Sequence, residues 1–386
     1  MNKTDAKPLR ICYFGTYRAN YERNRLMIDR LRMCGYEVIP CHATLWQGFE
    51  DREQTASGGW KKPSFWLRVI KAYLTLLGEY RKVGDYDVMF LGYPGQPDVL
   101  LGRILSKLRR KPLVWDVLMS IYLIACERQL EERSPMSVKL IHWLEKTAMR
   151  MPDLFIIDTP TYAEWYQKEY SLPSEKIRLL PLGADDRVFH PLIPEGKPAS
   201  SFVCLYYGTY IPNHGVPVII EAARRLANHN QIYFEMVGGG PERAKAEQLA
   251  QDYGIRNMRF IDWLEKDELV RKIAASDVIL GTFGNTPQAL MTMQNKIHEG
   301  LAMAKPVLNG DSPAMQALLR HGEEIYLCER ENSQALADAI LTLYKQPDLR
   351  AKIASQGYAF YQEHLNFDLL CKKLCNIVMG ITQTAR

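Results

Sequence analysis

The sequence predicts an α/β protein built as two doubly wound, Rossmann-like domains. Three observations carry this. At 386 residues the chain is long enough for two cores of ordinary size. Short apolar strands alternate with helical segments, first from Ile11–Phe14 and again from Phe202–Tyr207. Between the two series lies a turn-rich connector, Pro181-Leu-Gly-Ala-Asp-Asp-Arg-Val-Phe-His-Pro191, with further breakers over Pro194–Pro198. The domains are therefore expected at 1–186 and 187–365, with a final helix near 366–386 long enough to cross back to the first.

In the first series, Ile11–Phe14 is a buried strand followed by Gly15, Thr16 and a helix over about 21–34, then a strand at Tyr36–Cys41. A glycine at the first βα turn suits either a close ligand approach or simply a tight turn. Ser64–Lys82 is a helix whose apolar residues wrap most of its circumference, the width expected of a helix packed on a sheet. Trp60, Lys61, Lys62, Trp66, Arg81 and Lys82 around it would also suit docking at a membrane interface. Strand Asp87–Leu91, a helix to about Arg109 and strand Pro112–Trp115 follow. Asp116 then stands at a strand's carboxyl end, with Ser120 four residues on. That position suits either chemistry or a helix N-cap. A helix at 136–150, strand Leu154–Ile157, a helix at 160–170 and strand Lys176–Leu180 complete this half.

The second series reads strand Phe202–Tyr207, the turn Gly208–Gly215, helix Val216–Asn228 and strand Ile232–Val237. Gly238, Gly239 and Gly240 come next, between a strand and a helix, where phosphates are often received. Strand Met258–Ile261, helix Glu265–Ala275 and strand Val278–Gly281 lead to a loop over Thr282–Asn295. Strand Ile325–Leu327 and helices near 332–345, 347–363 and 366–380 end the chain. Four strand-end loops of one domain (208–215, 238–241, 262–264 and 282–296) are expected to open on the same crevice.

The last of those loops runs into a short helix in which Asn295 is the expected N-cap, ahead of the strand Val307–Asn309. Lys296 and Glu299 share one helical face close to a positive helix end. A cation beside free backbone N–H groups suits a phosphate, and a carboxylate one turn on can accept two hydroxyls of a ribose. The alternative is an ordinary Lys–Glu surface pair.

Composition narrows the function classes. Apolar residues make up 47% and charged residues 24%, normal for a soluble globular chain. No uncharged apolar run reaches the length of a membrane span, and the N-terminal apolar run is too short for a secretion signal. Eight cysteines show no metal-ligand spacing and are expected as buried free thiols in a reducing cytosol. Residues 1–150 carry 25 Lys and Arg against 16 Asp and Glu, while the rest carries 24 against 28. That basic half lacks the aromatic interleaving of a nucleic-acid groove, so anionic lipid headgroups are the better expectation.

Taken together, the hinge PLGADDRVFHP, the turn and helix YYGTYIPNHGVPVIIEAA, VGGGPE, FIDWLEKDEL and NKIHEGLAMAKPVL resemble family 4 retaining glycosyltransferases of the GT-B architecture. GTYRANYERNR, YPGQPD and WDVLMSIY in the first half look like a sub-branch of that family. The resemblance implies two Rossmann-like domains facing a central cleft. It implies transfer of a sugar from a nucleotide-diphosphate sugar to a glycan, lipid-linked or small-molecule hydroxyl. Glu299 matches the second glutamate of the family's Glu-x7-Glu motif, which holds the donor ribose, and Met291 stands in place of the first. Thr209 and His214 stand where many members carry the Arg and Lys that clamp the diphosphate, so that work passes to Lys296, with Asn295 at the helix start. Gly208 and the glycines at 238–240 border the donor. Trp263 and Leu264 match backbone contacts to the base, Gly15 with Thr16 would face the diphosphate, and Asp116 stands where many members have a histidine. No resident cofactor and no metal are implied, since protein cations stabilise the leaving diphosphate. The resemblance places the chain in the cytoplasm, peripheral to the membrane's inner face at most. A sugar-nucleotide epimerase and a non-catalytic nucleotide-sugar binder are the competing readings.

Overall fold

In the computed structural model, the residues described are 7–45, 62–194 and 201–384; Trp60, Lys61 and the breakers beyond Pro194 lie outside them. The chain divides into two compact units: one runs through Pro181 and resumes at Leu370, and the other is Leu182–Leu369.

The first unit contains β1 (Arg10–Gly15), α1 (Glu22–Met33), β2 (Glu37–His42), α2 (Pro63–Lys82), β3 (Val88–Leu91), α3 (Val99–Leu108), β4 (Leu113–Asp116), α4 (Ile121–Glu127), α5 (Leu130–Arg133), α6 (Pro135–Ala148), β5 (Leu154–Ile157), α7 (Pro160–Tyr170) and β6 (Ile177–Leu179). Its six strands are all parallel, in the order β2-β1-β3-β4-β5-β6. Strands covered on both faces must be apolar throughout, and β3 (VMFL) and β5 (LFII) are buried at every position.

The second unit contains β7 (Phe202–Tyr207), α8 (Val216–Arg225), β8 (Ile232–Val237), α9 (Arg243–Asp252), β9 (Met258–Ile261), α10 (Lys266–Ala275), β10 (Val278–Leu280), α11 (Pro287–Met291), α12 (Asn295–Ala302), β11 (Val307–Gly310), α13 (Pro313–Gln316), β12 (Tyr326–Cys328), α14 (Ser333–Lys345) and α15 (Pro347–His364). Its parallel sheet is ordered β12-β11-β10-β7-β8-β9, with an apolar cluster on each face. The last helix, α16 (Phe367–Thr384), leaves this unit. Its Leu370, Leu374 and Val378, one turn apart, pack with Met27 and Leu31 of α1 under the first sheet.

Three expectations are corrected. Cys34 and Cys375 form a disulfide with their Cα atoms 5.8 Å apart, so not every thiol is free. The pair is 341 residues apart in sequence and meets only because α16 docks beside the end of α1, which no spacing could reveal. Second, α2 buries only Ala72, Leu76 and Tyr80, although its apolar residues run most of the way round. Trp66 is 51% exposed and Leu67 68% exposed, so packing on the sheet does not account for the helix's apolar width. Third, the loop over 282–295 holds a helix, α11. Thr286 caps it by accepting from Ala289 N at 3.2 Å, and Pro287 sits at its first position.

Candidate functional site

The carboxyl ends of β7, β8 and β10 converge on α12. Three close backbone approaches fix their loops, and each requires glycine. Gly238 has φ +121°, and a Cβ there would lie 2.1 Å from the Gly208 carbonyl oxygen. A Cβ on Gly215 would lie 2.3 Å from the Gly284 nitrogen, and one on Gly240 2.7 Å from the Tyr210 nitrogen. The turns after β7 and β8 are then tied together, Tyr210 N donating to Gly239 O at 2.8 Å. Phe283 N donates to His214 O at 3.0 Å, joining the loop after β10 to the same cluster.

Over this cluster stands Lys296. Helix α12 begins at Asn295, with Gln294 rather than Asn295 at the N-cap, so Lys296 is the second helical residue. The helix is buried from Lys296 to Ala302, which rules out a solvent-exposed Lys–Glu pair. Lys296 is 4% exposed. Its Nζ lies 3.9 Å from the centroid of the Tyr206 ring and 3.3 Å from where a Cβ on Gly208 would be. It has no hydrogen-bond partner among the described residues. Burial pulls its pKa down from the usual lysine value to about 7, partly offset by Glu299. A buried ammonium held by a π face, beside glycine turns and a helix start, is a ready receptor for an anion.

Glu299 is buried one turn further on, 9% exposed. Tyr207 on β7 holds this segment: its hydroxyl donates to Lys296 O at 3.3 Å, and the Glu299 carboxylate, to which it also bonds, raises its pKa beyond the effect of burial. His214 is half-buried, its Nδ1 2.8 Å from the Tyr206 hydroxyl, which donates to Thr209 O at 3.0 Å. Burial and Lys296 push the His214 pKa well below its ordinary value, so the ring is neutral. Trp263 is 63% exposed, its indole nitrogen 3.1 Å from where a Cβ on Gly239 would be. Leu264 packs against the apolar cluster behind. Thus Gly208, Thr209, His214, Gly238–Gly240, Trp263, Leu264, Asn295, Lys296 and Glu299 all lie at one end of the second sheet.

Three other residues lie in the first unit. Gly15 has φ +133°, and a Cβ there would lie 2.7 Å from Asp98 Oδ2, so the turn itself accounts for this glycine. Thr16 spends both its donors on Asp98: N at 2.7 Å and Oγ1 at 3.1 Å. Asp116 does stand at the end of β4, but it is fully buried and its carboxylate is taken by the Arg23 guanidinium at 2.7–3.1 Å. Arg23 also donates to Leu180 O at 3.1 Å. Asp116 is therefore neither an open acid–base group nor a helix cap. Ser120 is the cap: its Oγ accepts from Leu123 N at 3.1 Å and donates to Glu145 at 2.6 Å.

Sequence reasoning missed the residues that support the cluster. Tyr206 and Tyr207 sit in what reads simply as an apolar strand. Arg243, the first residue of α9, donates to Gly238 O at 2.5 Å and pairs with Asp262 at 2.7 Å, fixing the glycine turn from outside. Asn309 Oδ1 accepts from Thr282 N at 2.7 Å, pinning the loop after β10. An arginine directly after the VGGGPE turn was the one available signal.

Comparison with known proteins agrees with this geometry. Two Rossmann-like parallel-sheet domains in one chain are the GT-B fold. Sucrose-phosphate synthase from Thermosynechococcus elongatus matches with a TM-score of 0.76 at 16% identity, over 98% of this chain and 100% of that one. HepE from Anabaena, solved in complex with UDP, matches with a TM-score of 0.70 at 17% identity, over 97% and 100%. Residues 201–346, which hold the site above, match the family model of glycosyl transferases group 1. Among curated relatives, the lipopolysaccharide core biosynthesis glycosyltransferase LpsD of Rhizobium meliloti is 26% identical over 42% of this chain and 44% of its own. The alpha-D-kanosaminyltransferase of Streptomyces kanamyceticus is 24% identical over 66% and 67%. The matched segment spans about half the length of the curated relatives.

Proposed function

We propose that the chain is a retaining glycosyltransferase that uses a nucleotide-diphosphate sugar without a metal, in a sub-branch marked by NKxxE in place of the full Glu-x7-Glu motif. The observation that carries this is the buried Lys296 ammonium over the glycine turns, without a hydrogen-bond partner among the described residues, with the Glu299 carboxylate one turn on. In this reading Lys296, Asn295 and the α12 N-terminus receive the diphosphate, and Glu299 takes the ribose hydroxyls. The base lies against Trp263, Leu264 and the turn at Gly238–Gly240. UDP is the first base to test, since HepE was solved with UDP and with UDP-glucose.

The chemistry follows from where charge appears. The C1–O bond to the diphosphate breaks and its electron pair stays on the phosphate oxygen, so negative charge grows beside Lys296. The acceptor oxygen then bonds to C1 on the same face, and its proton passes to that phosphate oxygen. A glycan, lipid-linked or small-molecule hydroxyl serves as acceptor. The protein works in the cytoplasm, peripheral to the membrane's inner face. A non-catalytic nucleotide-sugar binder is the second reading, favoured by Thr209, the neutral His214 and Met291 standing where cationic and acidic groups would assist transfer.

A thermal-shift series with UDP-, GDP-, ADP- and dTDP-sugars, followed by a donor-turnover assay, tests both. Stabilisation by one donor series with turnover supports the transferase. Stabilisation with no turnover under any acceptor leaves the binder, and no stabilisation by any donor overturns both.

A further inference from the structure

Arg330 stands just beyond β12, the edge strand of the second sheet, yet its side chain reaches back across the neighbouring strand ends. Its Nε donates to Asp311 O at 2.6 Å and its Nη2 to Gly310 O at 3.0 Å, both at the end of β11. Its Nη1 donates to Gly284 O at 2.6 Å, in the loop after β10. Each nitrogen of the guanidinium thus holds a main-chain carbonyl, and the planar fork ties one loop to the other.

Acids stand close by that the guanidinium does not take. Glu329 and Glu331 flank it in sequence and Asp311 lies beside it, but Arg330 makes no ion pair among the described residues. Burial pulls its pKa down to about 10, partly offset by Cys328, Asp311 and Glu331. A buried cation costs stability unless its donors are well used. Pairing with a carboxylate would stabilise this one better; bridging the carbonyls instead fixes where the loop after β10 sits.

That loop shapes the candidate site. Phe283 N donates to His214 O at 3.0 Å, and Phe283 O accepts from Glu331 N at 2.9 Å, next to Arg330. Gly284 has no slack toward the turn after β7: a Cβ there would lie 2.4 Å from Pro212 O and 2.9 Å from Asn213 O. His214 Cε1 and Lys296 Nζ in turn lie 3.4 and 3.3 Å from where a Cβ on Gly208 would be. A displacement of Gly284 therefore passes by backbone contact to 212–215, and from there to the space over Gly208 that His214 and Lys296 share.

We propose that Arg330 is a positioning residue of the donor site: by holding Gly284, Gly310 and Asp311 it sets the loop after β10 and, through His214, the space around Lys296. This role rests on the reading of that site as the receptor of a donor diphosphate, so its first test uses no donor. Amide hydrogen exchange of the full-length protein compares wild type with Arg330→Ala and Arg330→Lys. Exchange over 281–291 and 208–215 should rise about tenfold or more in both variants, while 243–261, spanning α9 and β9, keeps the wild-type rate. Lysine keeps the charge but not the fork, so wild-type exchange in Arg330→Lys overturns the proposal. In Arg330→Ala the shortened side chain opens onto a cavity of about 820 Å³ that Arg330 lines with Asp311 and Leu327. Millimolar guanidinium chloride should therefore restore slow exchange in that variant, and sodium chloride at the same concentration should not. No recovery with guanidinium, or an equal rise throughout the second unit, also overturns the proposal. Where a donor binds wild type, both variants should bind it about tenfold more weakly, and wild-type affinity in a variant whose loop exchanges faster counts against the role. If no donor binds wild type, the transferase reading fails, while exchange still decides whether Arg330 sets the loop.

Discussion

Lys296 holds its ammonium 3.9 Å from the centroid of the Tyr206 ring and has no hydrogen-bond partner among the described residues. The arrangement costs stability, because burial penalises the charged form, and it leaves the cation available to a diphosphate. Replacing Lys296 by Ala should lower donor affinity or kcat/KM at least tenfold. A loss near three kcal/mol, about two orders of magnitude, is expected if the ammonium acts mainly in the transition state. Glu299→Ala should also cost at least tenfold, mainly in KM, since a ribose contact is the same in ground and transition states. Steady-state kinetics of both variants decide this, and wild-type values in both would remove the site assignment.

The same lysine predicts a pH signature. Its pKa is about 7 in the folded protein and near 10.4 in the unfolded chain. Between those values the unfolded state binds more protons, so stability rises with pH through that window. The penalty is fully present below about pH 7 and gone above about pH 10.5. Lys296→Met should therefore be more stable than wild type at pH 6.5, by roughly a few kcal/mol, with the difference shrinking toward alkaline pH. Urea melts across this range test the sign. Donor binding should pull the pKa back up, so calorimetry near pH 8 in buffers of different ionisation enthalpy should show proton uptake, absent in Lys296→Met.

Much of this was legible in the sequence, for a definite reason. Strands buried on both faces must be apolar runs, and such runs as Phe202–Tyr207 and Leu154–Ile157 stand out with their exact bounds. Glycines forced by backbone approach, such as Gly238 and Gly240, mark loop positions for the same physical reason. What was hidden depends on contacts between distant positions. Asp116 sits at its strand end as expected, but its partner Arg23 lies 93 residues earlier, within a helix that reads as ordinary. Cys34 meets Cys375 only through the docking of α16. The apolar width of α2 was visible, but whether it faced a sheet or solvent was not.

Gly238 offers a test of the loop cluster that touches no charged group. An Ala side chain there would place its Cβ 2.1 Å from the Gly208 carbonyl oxygen, at φ +121°. Neither backbone can give way without moving the turn under Lys296. Gly238→Ala should lose about 2–4 kcal/mol of stability, and the remaining folded protein should bind donor poorly. Gly254 is the control, with φ +60° and nothing within 4 Å of a Cβ. Its Ala variant should lose only about 1 kcal/mol and bind donor normally. Equal destabilisation of the two would mean the close approach at Gly208 carries no cost.

The Arg23–Asp116 pair separates a structural role from a chemical one. Both side chains are buried, and Arg23 also holds Leu180 O at the end of the first unit's last strand. Removing one partner strands a buried charge, so Asp116→Ala should cost about 3–5 kcal/mol. Replacing both with apolar side chains of similar size, Arg23→Met with Asp116→Leu, should recover part of that loss, the remainder being the cost of leaving buried Asp158, 3.6 Å from Arg23, without that cation. If Asp116 acts only by holding Arg23, the double variant should regain stability while keeping kcat within a fewfold of wild type. If the carboxylate takes part in transfer, the double variant should fold but lose kcat by about two orders of magnitude, the usual contribution of a positioned acid or base. Melting curves and single-turnover rates on the same samples distinguish the two outcomes, and the closed geometry around Asp116 favours the first.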